Sequence, residues 1–290
     1  QGDWSSDVCS SDLSVSLDQA LVFTATSGTD NPAFSSDNDR LIVTNTNQIT
    51  AADTFSGGGG TDTIQIGTPG AGVSVDLRAA GSAGTSGILN FETIEFVNTS
   101  GTSSASFSAD QFSANEIVLN ATIIGTSAAA QSLTINLSAG SSFNASGFSF
   151  SNWTSDTDTF TLNGSSGKET ITGSSLADVI NGGPGADWLT GGSGRDTFVF
   201  ASSDSTLTLA IGVGGNPPNT ISGYDTITDY SIGATAGAAD IIQYAAASVP
   251  ANATVNGVNG NLKLKLNSLQ PAKSHRIVNG IASFDDRSEE

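Results

Sequence analysis

Over residues 164–200 the apolar positions recur every nine residues, at Ile171, Ile180, Leu189 and Phe198, with Leu162 one unit earlier. Polar and apolar residues alternate around each of them, which predicts very short strands with one face buried. A glycine opens every unit, at Gly164, Gly173, Gly182 and Gly191, and in GGPGAD and GGSGRD glycines also hold the second and fourth positions. Glycine reaches backbone angles that other residues adopt only with strain, so six residues turn tightly there. Short strands and tight turns at a constant period predict a stacked, parallel solenoid.

Outside that ladder the pattern is β-rich but less regular. VSVDL, FETIEFV, EIVLN, SLTINL and FSFSNW are short runs of β-branched and aromatic residues between Gly, Ser and Asn clusters, and they read as strands. In FETIEFV the alternation breaks, because Glu92 and Glu95 would fall on opposite faces. Trp153 is expected to plug the core or cover a strand edge. After Phe200 the period stops; GGNPPN reads as a loop, and LKLKL and HRIVNGIASF as further strands. The fold class is all-β: a parallel β-roll flanked by solenoid- or sandwich-like regions.

The same ladder carries an acid at the sixth position of each unit, at Glu169, Asp178, Asp187 and Asp196. This nonapeptide resembles the calcium-binding repeat of the RTX family. The resemblance implies that two nonamers form one coil of a β-roll, so that Glu169 stacks with Asp187 on one edge and Asp178 with Asp196 on the other. Strands stacked ~4.8 Å apart would bring paired carboxylates into a repulsion of about 3.5 kcal/mol at an effective dielectric of about 20. No base recurs with the ladder, since Lys168 and Arg195 occur singly. Carboxylates and turn carbonyls, those of Gly182 and Gly191 included, are hard oxygen donors suited to calcium. Solvated acids on a glycine-rich turn are the plainer alternative. GSSLAD and GSSGKE depart from GGxGxD, so each pair joins one consensus turn to one degenerate turn.

A second copy lies within residues 48–65. Asp53 and Asp62 are nine apart, Phe55 and Ile64 hold the apolar slot, and residues 57–62 fit GGxGxD. Glu169 follows Asp62 by 107 residues, which is not a multiple of nine, so two separate runs are expected. A lone pair has no same-edge partner two units on, and calcium and a hairpin-like turn both remain open for it. Residues 222–244 resemble the segment that closes RTX rolls, with Tyr230 where Phe is usual. Asp225, Asp229 and Asp240 are there either further calcium ligands or ordinary solvated acids.

Charge sharpens this reading. The 290-residue chain has a formal net charge of −19, which disfavours nucleic acid and anionic membranes and favours divalent cations. No apolar run is long enough to span a bilayer. The only histidine is His275, so H-E-x-x-H zinc chemistry is excluded, and no G-x-S-x-G elbow occurs. Gly167 and Lys168 do not form a phosphate loop, because Glu169 stands where Ser or Thr is required. Residues 1–13 and 287–290 resemble translations of sequencing-library adapters, and the first of these holds the only cysteine, Cys9.

The expected organisation is therefore residues 14–162 as a β-rich region, 163–200 as the roll and 201–286 as a β capping region, between two adapter-derived ends. The expected function is a calcium-binding module. The resemblance further implies export by a type I secretion system, with folding completed outside the cell. A non-catalytic part of a secreted enzyme, or of a surface adhesin, is the alternative.

Overall fold

The computed structural model describes residues 20–80, 87–155, 157–201, 204, 208–210, 220–222, 225–231, 239–244, 274–278 and 281–285. The proposed adapter segments, LKLKL and GGNPPN lie outside the described residues. Three parallel sheets carry the architecture. The first runs through Val22–Thr24, Arg40–Val43, Thr63–Ile66, Phe91–Phe96, Ile117–Ile124 and Ser149–Ser151. The second starts at Ser74–Asp76 and continues through Thr102–Ser108, Ala130–Asn136, Thr159–Asn163, Asp178–Asn181, Thr197–Phe200 and Ile241–Tyr244. The third is shorter: Ser142–Asn144, Thr170–Thr172, Trp188–Thr190 and Thr226–Ile227.

The chain winds between these sheets as a solenoid whose coil length varies. Equivalent turn positions are 18 residues apart at the N-terminal end, then 23, 30 and 27, and return to 18 in the nonapeptide run. The long coil after Ala130–Asn136 visits the third sheet and then the first before rejoining the second. From Thr159–Asn163 to Thr197–Phe200 the chain alternates between the second and third sheets, and before Thr226–Ile227 it adds a separate antiparallel pair, Thr208–Ala210 with Thr220–Ser222. The first sheet ends at Ser149–Ser151, where half-buried Trp153 packs on Phe96 and Phe150 with ring centroids 6.0 and 5.4 Å apart. The two nonapeptide runs thus sit in one solenoid, joined by coils of other lengths, and the second sheet crosses the sequence boundary at 163 without a break.

One continuous core fills it. Leu162, Ile180, Phe198 and Ile242 pair in register along the second sheet, and Phe143, Ile171, Leu189 and Ile227 along the third. All eight are buried, each contributing roughly 1.5–3 kcal/mol. The strand Phe91–Phe96 accommodates its broken alternation by a register shift between Phe91 and Thr93. At this bulge the N–H groups of Glu92 and Thr93 both donate to Asp62 O, so both glutamates stay off the buried face. Glu95 pairs there with Arg40.

At the far end, Ile241–Tyr244 meets the antiparallel strands Ile281–Asp285 and Ser274–Val278. These correspond to HRIVNGIASF. Tyr230 packs on Phe198 and donates its hydroxyl to Asp240 O at 2.9 Å.

Candidate metal centres

All the turn acids of the nonapeptide run but Asp178, which accepts from Ser174 in its own turn, follow one rule: the carboxylate accepts a backbone N–H from the coil before. On one edge Glu169 donates to Asp187 Oδ1 at 2.8 Å, and Asp187 donates to Asp225 Oδ1 at 2.9 Å. On the other, Asp178 donates to Asp196 Oδ1 and Asp196 to Asp240 Oδ1, both at 3.0 Å. Glu169, with one more methylene, reaches the Gly140 N–H at 2.6 Å. Asp229 is exposed and accepts the Gly191 and Gly192 N–H groups, each at 2.8 Å.

The N-terminal coils repeat the rule with residues that the sequence pattern did not flag. Asp30 donates to Asp53 Oδ1 at 2.9 Å and Asp39 to Asp62 Oδ1 at 2.7 Å, and Asp62 donates in turn to Glu92 Oε2 at 2.7 Å. Asp53 and Asp62 therefore do have same-edge partners, in Asp30 and Asp39. A signal existed, because Asp30 and Asp39 are themselves nine residues apart. It was obscured by poor turn glycines and a 23-residue coil.

The turns are of two chemical kinds. In the degenerate ones a serine at the second position closes on its own acid: Ser174 donates N–H and hydroxyl to Asp178, at 2.5 and 2.9 Å, and Ser35 does the same to Asp39. Ser165 makes longer contacts of this type to Glu169, at 3.3 and 3.4 Å. In the consensus turns glycine replaces that serine, and Asp62 Oδ2 and Asp187 Oδ2 are buried with no hydrogen-bond partner. The glycines are required by close stacking. Gly192 and Gly194 have φ of 101° and 113°, and a Cβ would lie 2.1 Å from Ser174 O and 2.5 Å from the Leu176 backbone, respectively. Consensus turns consequently lie upon degenerate ones.

Burial without counter-charge is costly for these carboxylates. Desolvation, reinforced by neighbouring acids, pushes Asp178, Asp187 and Asp196 up to about 7 and Asp62 up to about 6, against the pull of the N–H groups they accept. Asp240 is raised for the same reason. Orphaned, buried, acid oxygens call for a cation. Among the described residues no three His, Cys, Asp or Glu side chains form a metal cluster, so backbone carbonyls must complete the shell. Such carbonyls are at hand: one point, the position of a Cβ on Gly173, lies 2.2 Å from Gly191 O and 2.5 Å from Asp178 Oδ2.

Fold and site together define a cation-binding β-roll with oxygen-only donors, the coordination calcium prefers. The family model of the RTX calcium-binding nonapeptide repeat matches the chain in four copies, over residues 50–65 and 163–198. The chain thus carries RTX-type repeats over those two stretches, and the cation that such repeats bind is calcium. No curated protein and no solved structure matches it.

Proposed function

We propose that calcium binds between the stacked turns of the roll and thereby completes its folding. Glu169, Asp187 and Asp225 would serve one edge, and Asp178, Asp196 and Asp240 the other, with carbonyls such as those of Gly182 and Gly191 filling the shell. The observation that carries this reading is the buried, unpartnered Asp187 Oδ2 in a column of like charges. A divalent ion there would turn repulsion into attraction and couple binding to folding. Asp53 and Asp62 extend the same chemistry to the N-terminal coils, while Asp229, in the C-terminal roll, acts as a cap on the Gly191 turn.

The RTX resemblance supports a folding step outside the cell, after passage through a type I secretion system. A segment kept unfolded by its own charge where calcium is scarce, and closed where calcium is abundant, suits that route. Far-UV circular dichroism of the chain in calcium and in chelator tests the proposal. More ordered β structure is expected in calcium than in chelator at neutral pH, with magnesium a poor substitute because it demands tight octahedral geometry and keeps its water; superimposable spectra would refute it.

A further inference from the structure

The turn Asn90–Glu92 belongs to no nonapeptide, yet it stands upon the Gly57–Asp62 turn as one nonapeptide turn stands upon another. Gly57 donates its N–H to Leu89 O at 2.9 Å, as Gly173 donates to Thr190 O at 2.9 Å. A Cβ on Gly57 would lie 2.1 Å from Asn90 O and 2.3 Å from Asp62 Oδ2, the counterparts of Gly191 O and Asp178 Oδ2 at Gly173. A single point thus lies within 2.3 Å of both oxygens, as it does within 2.5 Å of the corresponding pair at Gly173. Glu92 then takes the place of Asp196, accepting the Asp62 N–H through Oε2 at 2.7 Å.

Two backbone irregularities produce this substitution. Asn90 adopts the left-handed φ of 54°, otherwise glycine's role in these turns. The bulge after Phe91 turns Glu92 toward Asp62 instead of leaving it on a regular strand face. Asp62 itself is 1% exposed, and its Oδ2 has no partner.

We infer that Asp62, Glu92 and the Asn90 carbonyl form a further calcium site, in which a three-residue bulged turn replaces the second nonapeptide. All three donors are hard oxygens and two carry charge, which selects a divalent cation of calcium's size and flexible coordination. The inference rests on the reading of the roll as calcium-binding, and adds to Asp62 two donors from outside the repeat, Glu92 and the Asn90 carbonyl. It also sets how far calcium reaches along the solenoid, into a 30-residue coil outside the repeat.

Calcium stoichiometry of the full chain, by equilibrium dialysis and calorimetry, separates the two ideas. Glu92→Gln keeps the size and an acceptor for the Asp62 N–H, and is expected to bind one ion fewer than the parent. Glu95→Gln, an equal charge change at the residue paired with Arg40, should lose none. Gly57→Ala, which sets a methyl between the two oxygens without altering charge, should lose the same ion as Glu92→Gln. An Asp187→Asn/Asp196→Asn variant should keep this ion, and adding Glu92→Gln should remove it. If Glu92→Gln and Gly57→Ala both retain the parental stoichiometry while the Asp187/Asp196 pair reduces it, the site is refuted and the roll stands. If the Asp187/Asp196 pair changes nothing and Glu92→Gln still loses an ion, the roll assignment fails and this site stands. A parent chain that binds no calcium overturns both.

Discussion

Asp178 donates its backbone N–H to Oδ1 of Asp196, 3.0 Å away and 18 residues along the chain. That one bond sets the register of two coils and fixes two carboxylates in a shared, buried column. On the opposite edge Glu169 and Asp187 are related in the same way. Removing one carboxylate should therefore disable one edge and spare the other. Asp187→Ala and Asp196→Ala are each expected to lower calcium stoichiometry in calorimetry, and the double variant to lower it further. Wild-type stoichiometry in both single variants would break the assignment of the two edges.

Without calcium, acid should stabilise the protein. The ordinary value is 3.8, and burial raises Asp178, Asp187 and Asp196 to about 7. Between those limits the folded chain holds protons that the unfolded chain has released, so stability falls as pH rises from about 4 to about 7 and levels off above. Calcium competes with the same protons, so its affinity should rise across that window. Thermal melts in chelator should show a higher midpoint at pH 5 than at pH 8; the opposite order would contradict the burial of these acids.

The serine-closed turns predict a loss that is independent of metal. Ser174 is buried and donates its hydroxyl to Asp178 Oδ1 at 2.9 Å. Ser174→Ala should cost about 1 kcal/mol or somewhat more, since it leaves an acid oxygen without that donor. Chemical unfolding at fixed calcium measures it, and an unchanged midpoint would show that the hydroxyl bond adds nothing.

Two glycines separate backbone strain from collision. Gly140 has φ of 72° and nothing within 4 Å of an added Cβ, whereas Gly192 combines φ of 101° with a Cβ 2.1 Å from Ser174 O. Gly140→Ala should cost about 1 kcal/mol from the left-handed backbone alone. Gly192→Ala adds a backbone clash and should cost several-fold more, or prevent the Gly191–Asp196 turn from stacking on the Gly173–Asp178 turn altogether. Equal urea midpoints for the two variants would remove close stacking as the reason for the consensus glycine.

Much of the roll was legible because its period is rigid. The apolar slot at Ile171, Ile180, Leu189 and Phe198 and the acids beside it follow from a nine-residue phase, and the all-β class follows from them. The phase failed where coils lengthen. Asp30 and Asp39 pair with Asp53 and Asp62 across 23 residues, a step that no nonapeptide count produces. Glu92 was hidden differently: a bulge moved it, and strand alternation assumes no bulge. Which turns leave an acid oxygen unpaired follows from Ser or Gly at the second position, but that the serine closes back on its own acid needs the turn geometry to be seen.

Among the described residues, the bonds from turn amides to carboxylates of another coil all run one way. From Leu21 to Asp39, Asp39 to Asp62, Gly140 to Glu169 and Asp196 to Asp240, the donor lies in the earlier coil and the acceptor in the later one. The solenoid therefore has a polarity, like a filament with unlike ends. A coil added on the N-terminal side docks its amide onto a carboxylate already held in place, whereas one added on the C-terminal side must bring its own carboxylate out of a disordered chain at a greater entropic cost. Growth should start at the Asp225 and Asp240 cap and travel backward along the sequence. Pulsed hydrogen exchange during refolding would then protect the amides of Asp187 and Asp196 before those of Leu21 and Asp39.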